Sequence, residues 1–519
     1  MKKILNQPII LSILSGLFFY LSWPTMPFFI LIFIAFVPVL WIERKVALST
    51  KKQKTLKIFG YTYLAFFIWN ITTTWWVSQA DFAGSVVAIT LNSFLMTIPI
   101  LLYSLTKRVI HQKLAYPSLI LFWLAWEYLH LNWSLSWPWL TVGNVFAITP
   151  WAIQWYEYTG VLGGTTWVLL INILVFKNLI SDRNWYGKMI PPMFWLVLPI
   201  IISFFLFEKE DGNQEHRELV IVQPNIDAYA KFDENMYEKH IQQMITQSED
   251  LITAKTKYVF WPETSIQGWH IESKFDIDES IQTVQNFAKK HPQISLITGV
   301  ESVEFFDEKH SDFTKKSPRL GFYESYNTAL YLHQNEMALY HKSKFVPGAE
   351  CEPFPVLLKT LRTFLDFSHM GSYTPQDERV SFDGVAPIIC YESIYGEFVG
   401  DYVNKGAGLL AVITNDAWWG DTDGHRQHFH YARLRAIEHR RFIIRSANTG
   451  ISGVIDWNGK IIRKSKWAEK TAIKKNVLIN SKKTFYTRYG NYLGRTGVFM
   501  SILIFLSVLV KLKTRKNNV

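Results

Sequence analysis

Three short motifs carry a carboxylate, an ammonium group and a thiol, in that chain order. They read WPETS around Glu263, HKSKFVPGAE around Lys342 and ICYES around Cys390. A carboxylate can act as a base, a lysine can stabilise developing negative charge, and a cysteine can attack a carbonyl carbon. Together these groups are the parts of an acyl-transfer site. Because long apolar stretches flank the segment that carries them, we expect the acyl group to come from a lipid.

Cys390 ends an apolar segment at 386–391 that is predicted to be a strand, and a helix is expected at 393–404. A nucleophile at a strand-to-helix turn is exposed, and nearby backbone N–H groups can hold an oxyanion. A helix N-terminus would also favour the thiolate. The alternative is a buried structural cysteine at a strand end. The two companion motifs favour the nucleophile.

Glu263 and Lys342 each have a functional and a structural interpretation. Glu263 follows another predicted strand, at 257–261, so it can lie beside the thiol and act as its base if an apolar surround raises its pKa. The alternative for Glu263 is a helix cap or a loop salt bridge. Lys342 lies in a polar turn and can stabilise a tetrahedral intermediate, whereas the alternative is a solvated side chain. Lys344 is a nearby candidate for the same role.

The segment that carries the three motifs has the composition of a soluble α/β domain. Apolar runs bounded by turn signals predict strands, and helical patterns lie between several of them. The polar stretch 303–319 has the composition of a mobile loop, and Asn458-Gly459 predicts a strand–turn–strand unit. The predicted strands are 219–223, 257–261, 294–300, 328–332, 386–391, 409–414 and 442–446, and the predicted helices are 233–254, 276–290, 393–404 and 425–440.

Eight apolar stretches are long enough to cross a bilayer as helices. They lie at roughly 8–23, 25–42, 58–77, 85–106, 115–131, 160–180, 189–207 and 495–511. Lys and Arg concentrate at the N-terminus and in alternate loops, and the intervening loops at about 23–27, 78–84 and 132–159 contain neither. This distribution predicts cytoplasmic termini and an extracytoplasmic segment 208–494. A cleaved signal peptide is the alternative for 1–23, although no small-residue cleavage site is found there.

The loop 132–159 is rich in tryptophan and supports two interpretations. An aromatic belt at the outer membrane interface is the favoured one, and a platform for lipid chains or headgroups is the alternative. The residues concerned are Trp133, Trp137, Trp139, Trp151 and Trp155.

Composition agrees with a mixed membrane and soluble chain. Charged residues make up 19% and aromatic residues 16% of the 519 residues. The net charge of +11 lies largely in the predicted cytoplasmic loops, which argues against a nucleic-acid partner. Two cysteines exclude a disulfide framework, and the lack of CxxC and HExxH motifs gives no reason to expect a metal.

We predict a seven-helix membrane bundle over 1–207, a catalytic domain over 208–494, and an eighth helix with a cytoplasmic tail over 495–519.

Taken together, the three motifs resemble the nitrilase (carbon–nitrogen hydrolase) superfamily, whose catalytic set is Glu-Lys-Cys in this chain order. The eight-span frame narrows the resemblance to the apolipoprotein N-acyltransferase family. The segment TNDAWWG at 414–420 also resembles that family. The resemblance implies an α-β-β-α nitrilase-like sandwich attached to a helical membrane bundle. Further residues that resemble the family are His428, Ala432, Arg435, Ala436, Glu438, Arg445, Asn448 and Gly450.

The resemblance also implies roles for individual residues. Glu263 would be the base, Lys342 the oxyanion-stabilising lysine and Cys390 the nucleophile. Lys342 is chosen over Lys344 because the family's lysine lies eight residues before a glutamate, here Glu350. Glu350 and Glu392 would position the lysine and its loop, and Tyr391 and Trp418 would flank the pocket.

One motif departs from the family pattern. The family usually has VPFGE before the second glutamate, whereas 346–350 reads VPGAE, with the glycine one place earlier. Since glycine permits backbone angles that other residues avoid, the loop near Lys342 could differ. Cys351, next to Glu350, is interpreted as a free or buried thiol.

The resemblance implies a substrate pair and a location. A phospholipid would donate the acyl chain through a cysteine thioester, and the α-amine of a diacylglyceryl-cysteine at an apolipoprotein N-terminus would accept it. Neither cofactor nor metal is required, a monomer suffices, and the expected location is a bacterial cytoplasmic membrane. One alternative is a membrane-tethered amidase that hydrolyses a small amide. Another is a transporter-like bundle with an inactive nitrilase-like domain, which the scarcity of acidic residues in the first seven spans disfavours.

Overall fold

The computed structural model describes residues 7–50, 52–110, 112–181, 185–207, 215–227, 233–319, 321–352 and 373–517. The chain divides into two compact units. The helical unit comprises Met1–Phe207 with Tyr489–Val519, and the α/β unit comprises Glu208–Arg488. Each unit has its own core and is described separately.

The helices of the described residues fall mostly outside the α/β unit. Four of them, at Phe82–Val109, Tyr156–Leu179, Gly187–Phe205 and Tyr492–Thr514, are long and apolar enough to cross a membrane. In chain order the α-helices are α1 Pro8–Ser22, α2 Ile32–Ala35, α3 Val37–Leu48, α4 Lys54–Thr74, α5 Phe82–Val109, α6 Gln112–Leu131, α7 Tyr156–Leu179, α8 Trp185–Phe205, α9 Tyr237–Glu249, α10 Glu279–Lys290, α11 Gly396–Asn404, α12 Asp423–His439, α13 Phe485–Tyr489 and α14 Tyr492–Asn517.

The second predicted span, 25–42, does not form one helix. Its residues are divided between a short 3₁₀ turn, α2 and the start of α3, with Phe36 between the two α-helices. Pro38 lies in the first turn of α3, where its missing N–H removes no helical hydrogen bond. The proline therefore favours a new helix start at this point.

The tryptophan-rich loop folds back into the helical unit as three 3₁₀ turns, Pro138–Leu140, Val142–Ile148 and Pro150–Ala152. The carboxylate of Glu127 accepts hydrogen bonds from the Val142 backbone N–H at 2.8 Å and from Thr165 Oγ1 at 2.7 Å. Trp139 is fully buried, whereas Trp151 is 47% exposed. The interpretation of this loop as an interfacial belt is therefore wrong for Trp139, which is part of the core of the unit.

The α/β unit contains two sheets. The first sheet runs in the order β13-β1-β2-β4-β6-β5, with β3 paired to β4 and β7 paired to β6, and the second runs β12-β11-β10-β9-β8. The strands are β1 His216–Gln223, β2 Thr256–Phe260, β3 Ile266–Ile271, β4 Ser295–Phe306, β5 Lys315–Ser317, β6 Gly321–His333, β7 Glu336–His341, β8 Val385–Ile389, β9 Leu409–Thr414, β10 Phe442–Ala447, β11 Gly453–Ile455, β12 Ile461–Lys464 and β13 Thr471–Leu478.

Side-chain alternation along the strands separates two apolar cores. In β1, Leu219 and Ile221 lie in the core shared with the second sheet, whereas Val220 and Val222 lie in the core beneath α9 and α10. The first core continues to α11 and α12 on the outer face of the second sheet. The unit is therefore an α-β-β-α sandwich, as the resemblance implied. Because β8 and β9 are buried along their whole length, they read as continuous apolar runs rather than alternating ones.

The predicted strands all overlap observed ones, and the predicted Asn458-Gly459 turn joins β11 to β12. The prediction of a mobile loop over 303–319 is wrong in part. Strand β4 continues to Phe306 in register with β6, and β5 adds a further antiparallel partner. Polar composition concealed these strands because Glu304, Lys315 and Lys316 lie on them and are only partly buried or exposed. The sequence analysis also missed β3, β7 and β13.

Candidate active site

Glu263 lies just beyond the carboxyl end of β2. Its Oε1 accepts from Lys342 Nζ at 3.1 Å and from Asn327 Nδ2 at 2.8 Å, and its Oε2 accepts from the Asn415 backbone N–H at 3.0 Å. The loop reaches this position because β4 has glycine at 299, where a Cβ would lie 2.7 Å from the Glu263 Cα. Glu263 is thus held by a cation and two uncharged donors.

Lys342 immediately follows β7 and is only 1% exposed. Its Nζ donates to Glu263 at 3.1 Å and to Glu350 at 2.6 Å. Burial opposes the charge on this lysine, but the two carboxylates, with a smaller contribution from Cys390, raise its pKa well above the ordinary value. Lys342 is therefore a fully charged ammonium inside the domain.

The VPGAE loop brings Glu350 back onto the lysine. Gly348 has φ +86°, a left-handed conformation, and its backbone N–H donates to the Cys351 carbonyl oxygen at 2.8 Å. Glu350 Oε2 accepts from the Val346 backbone N–H at 2.8 Å, while Oε1 accepts from Lys342. The displaced glycine therefore supplies the turn that this version of the loop needs.

Lys344 lies in a different environment from Lys342. Its Nζ is 5.3 Å from the ring centroid of Tyr395 and 6.0 Å from that of Phe398. Burial and the nearby Arg379 guanidinium lower its pKa. The structure thus brings Lys342, rather than Lys344, to Glu263.

Cys390 follows β8 directly and begins a 3₁₀ helix, Cys390–Ile394. Its φ is +48°, which is uncommon for a residue with a side chain. The prediction of an exposed nucleophile is wrong, because Cys390 is only 8% exposed. Burial and the Glu263 carboxylate raise the pKa of the thiol, and Lys342 opposes them only in part. The expected thiolate-stabilising effect of a helix N-terminus is outweighed, and the resting group is a protonated thiol close enough to both residues for charge coupling.

Glu392 connects the cysteine segment to the lysine segment. Its Oε1 accepts from the Ser343 backbone N–H at 2.7 Å and from Tyr340 Oη at 2.6 Å, and its Oε2 accepts from the Ile389 backbone N–H at 2.8 Å. Burial raises its pKa, and these donors oppose the shift. One side chain therefore fixes the residue after Lys342 and the residue before Cys390.

Two asparagines belong to the site but were not singled out individually in the sequence. Asn327 lies on β6, and its side-chain N–H donates to Glu263. The backbone carbonyl oxygen of Asn327 accepts from the Lys342 backbone N–H at 2.8 Å. Asn415, in the TNDAWWG segment, donates its backbone N–H to Glu263 at 3.0 Å. The motif as a whole was the available signal for Asn415, whereas Asn327, just before the predicted strand 328–332, belongs to no motif.

Behind Cys390 lies a buried group formed by Asp416, His428 and Arg445, all of them 0% exposed. Asp416 Oδ1 is 3.0 Å from His428 Nδ1, and Arg445 Nη2 bonds the other carboxylate oxygen. Burial alone would raise the pKa of Asp416, but the Arg445 guanidinium holds it below its usual range. His428 Nε2 lies 3.2 Å from the Cys390 carbonyl oxygen.

The remaining predicted site residues surround this centre. Tyr391 is buried, with its ring centroid 5.5 Å from that of Tyr395. Trp418 is 41% exposed on a short 3₁₀ turn. Cys351 is a free, half-buried thiol whose pKa is raised to about 12 by burial and the adjacent Glu350.

Two family models match the chain. The carbon–nitrogen hydrolase model matches residues 219–480, and the model of the apolipoprotein N-acyltransferase N-terminal domain matches residues 15–174. The first match contains the three motif residues, and the second covers most of the N-terminal helices.

Full-length relatives combine the same two parts. An apolipoprotein N-acyltransferase of Chlorobaculum tepidum is 28% identical over 514 residues, which is 94% of each chain. One of Rickettsia prowazekii is 26% identical over 96% of each chain. Among solved structures, Saccharomyces cerevisiae Nit3, a nitrilase-superfamily member, covers 52% of this chain and 93% of its own at 16% identity, with a TM-score of 0.37. The chain therefore belongs to the apolipoprotein N-acyltransferase family within the carbon–nitrogen hydrolase superfamily.

Proposed function

We propose that this protein transfers a fatty acyl chain from a membrane phospholipid to the α-amine of the N-terminal diacylglyceryl-cysteine of apolipoproteins. The observation that carries the proposal is the direct contact of Glu263 with Lys342, within charge-coupling reach of Cys390, in a chain that matches both family models. The apolar helices supply the membrane setting in which both lipid-bearing substrates occur.

The first half-reaction acylates Cys390. Glu263 takes the thiol proton as Sγ attacks the ester carbonyl carbon of the phospholipid. Lys342 and the Tyr391 backbone N–H stabilise the oxyanion. The tetrahedral intermediate then collapses, Glu263 returns the proton to the departing glycerol oxygen, and a lysophospholipid leaves behind a thioester. Because the resting thiol is protonated, its proton transfer is coupled to the attack.

Hydrogen-bond capacity supports the role of Lys342. An ammonium group has three N–H donors. Two of them point to Glu263 and Glu350, at 3.1 and 2.6 Å. The third is the donor that we assign to the oxyanion. The raised pKa of Lys342 keeps all three protons in place throughout the reaction.

The second half-reaction transfers the acyl chain. The α-amine of the diacylglyceryl-cysteine attacks the thioester carbon, and Glu263 removes one proton from the amine nitrogen. The carbon–sulfur bond breaks, the proton passes to Sγ, and an amide product leaves. The scheme is a ping-pong reaction through a covalent intermediate. A thioester is converted to an amide, so the transfer is downhill without nucleotide hydrolysis.

Other site residues act by positioning in this proposal. Glu350 sets the direction of the Lys342 ammonium, and its bond to the Val346 backbone N–H supports that role. Glu392 keeps the lysine and cysteine segments in register. Tyr391 and Trp418 flank the pocket that receives the acyl chain.

For the membrane region we propose eight spans, with both termini cytoplasmic and residues 208–494 extracytoplasmic. Residues 1–207 would supply seven spans, and 495–519 the eighth span with its tail. Four long apolar helices support half of this count directly. Helices α1, α4 and α6 lie at three of the other four predicted spans, and the fourth, 25–42, is divided between α2 and the start of α3. We propose a monomer in the bacterial inner membrane.

The proposal is tested by supplying both acceptors to one preparation. Purified protein in detergent receives phospholipid together with a synthetic diacylglyceryl-cysteine peptide, and small amides are tested in parallel. We expect the peptide to gain one acyl mass with the wild type and none with Cys390→Ala. Release of ammonia from a small amide without peptide acylation would instead establish the tethered amidase.

A further inference from the structure

The backbone of Cys390 is held in an unfavourable conformation by groups on its carbonyl side. The φ of +48° puts this non-glycine residue in the left-handed region. Such a conformation persists only where the surroundings determine it. Two side chains reach the Cys390 carbonyl oxygen, since Ser393 Oγ donates to it at 2.7 Å and His428 Nε2 lies 3.2 Å from it.

The contacts of His428 assign the proton to Nε2. The single hydroxyl proton of Ser393 is donated to the Cys390 carbonyl oxygen, so Ser393 Oγ can only accept from His428 Nε2, 3.0 Å away. Nε2 therefore lies between two acceptors and must be the donor. Burial lowers the pKa of His428, with Arg445 acting in the same direction. The ring is thus neutral and carries its proton on Nε2.

The opposite edge of the ring is fixed by charge. Nδ1 accepts from Arg445 Nη2 at 3.0 Å, and the same guanidinium nitrogen bonds Asp416 Oδ2. Asp416 Oδ1 accepts from Thr414 Oγ1 at 3.1 Å. The imidazole ring, with no exposed surface, cannot rotate without breaking these contacts.

The fixed carbonyl has a consequence for the next residue. The carbonyl of Cys390 and the N–H of Tyr391 belong to one planar peptide unit, and none of the described peptide bonds is cis. In a trans peptide the two groups point in opposite directions. A contact that fixes the carbonyl oxygen therefore also fixes the direction of the Tyr391 N–H.

We propose that His428 is a positioning residue that orients the 390–391 peptide, so that the Tyr391 N–H is directed at the oxyanion formed when Cys390 is acylated. This inference rests on the proposed function, since the oxyanion arises in that reaction. His428 does not touch the substrate. Its contribution passes through one hydrogen bond to the nucleophile's own carbonyl.

Two substitutions separate positioning from packing. His428→Gln places an amide N–H near the position of Nε2, whereas His428→Asn reaches only the position of Nδ1. The acylation rate constant is measured by intact mass over a series of phospholipid concentrations, alongside the melting midpoint. We expect His428→Asn to lower the maximal rate by about 10²-fold, comparable to the loss of one oxyanion donor. The half-saturating phospholipid concentration should stay unchanged, and His428→Gln should recover most of the rate.

Ser393→Ala gives an independent test with a small side chain that is expected to fold. It removes the other donor to the Cys390 carbonyl and should slow acylation at unchanged half-saturation. The inference is overturned if Ser393→Ala acylates at the wild-type rate, or if both His428 variants lose rate only in proportion to their loss of folded protein. Failure of the wild type itself to form an adduct would instead overturn the proposed function and this inference with it.

Discussion

Cys390 lies between two buried charged groups that differ in composition. On the side of its thiol, Lys342 contacts the two carboxylates of Glu263 and Glu350. On the side of its carbonyl, Arg445 and the neutral His428 surround the single carboxylate of Asp416. The first group has an excess of carboxylate over cation, whereas the second is balanced.

The difference separates chemistry from geometry. An extra carboxylate beside a protonated thiol is a base that can accept its proton, and the ammonium group retains a donor for new negative charge. A balanced pair has no excess carboxylate to act as a base, so its role is to hold the backbone. Substitutions on the thiol side should therefore change rates by removing a reacting group. Substitutions on the carbonyl side should change rates only through the position of the 390–391 peptide, and removal of a charge there should also lower stability.

The largest expected effect on rate comes from Glu263→Gln. Loss of the base should slow acyl-enzyme formation by about 10²- to 10⁴-fold. The same change removes a charge that raises the Cys390 pKa, so that pKa should fall. Iodoacetamide labelling, measured against pH in a Cys351→Ala background, should shift to lower pH. A slow variant with an unshifted labelling profile would contradict the assignment of Glu263 beside the thiol.

A matched pair of lysines tests the oxyanion contact. Lys342→Met should reduce the maximal rate of acylation by about 10²- to 10³-fold, as for loss of one oxyanion donor. Lys344→Met, two residues away against aromatic rings, should leave the rate within about threefold because it removes no donor from the site. Rates are compared by intact mass at saturating phospholipid. Equal losses of rate in the two variants would show that the conformation of the loop, rather than the Lys342 ammonium, determines the rate of acylation.

Asp416→Asn tests the carbonyl side through stability. It leaves the buried Arg445 without a counter-charge and should lower the free energy of unfolding by about 3–5 kcal/mol. The folded-state pKa of Asp416 is depressed, so its contribution is fully present above the unfolded value of about 4 and is lost as pH falls through the folded-state value. Melting midpoints in detergent should therefore differ at pH 7 and converge in strong acid. A constant difference would exclude this charge as the cause.

The smallest expected effect concerns the VPGAE turn. Gly348→Ala meets no atom within 4 Å of the added carbon but acquires a side chain at φ +86°, which should cost about 1–2 kcal/mol. Gly406→Ala is the matched control, with φ +104° and the same open space. Both should lower the melting midpoint, but only Gly348→Ala should also slow acylation, because only that turn carries Glu350. Equal acylation rates in the two variants would show that the position of Glu350 does not depend on this turn.

The sequence predicted the two-part architecture, most strands of the sandwich and the motifs that contain Glu263, Lys342 and Cys390. It missed what depends on contacts between distant segments. Asn327 directly precedes the predicted strand 328–332 and belongs to no motif, yet it bonds both the base and the lysine segment. The burial of Cys390 was also missed, because local position at a strand end says nothing of the elements packed around it. The eight-span count is still a prediction beyond the four long apolar helices.

The central claim is a lipid-derived thioester on Cys390, and intact-mass analysis tests it most directly. Wild-type protein and Cys390→Ala are incubated with a phospholipid of defined acyl chain, and then treated with or without hydroxylamine. The account predicts one added acyl mass on the wild type, removed by hydroxylamine and absent from the variant. An equal adduct on Cys390→Ala, or no adduct on folded wild-type protein that still acylates the acceptor peptide, would contradict it.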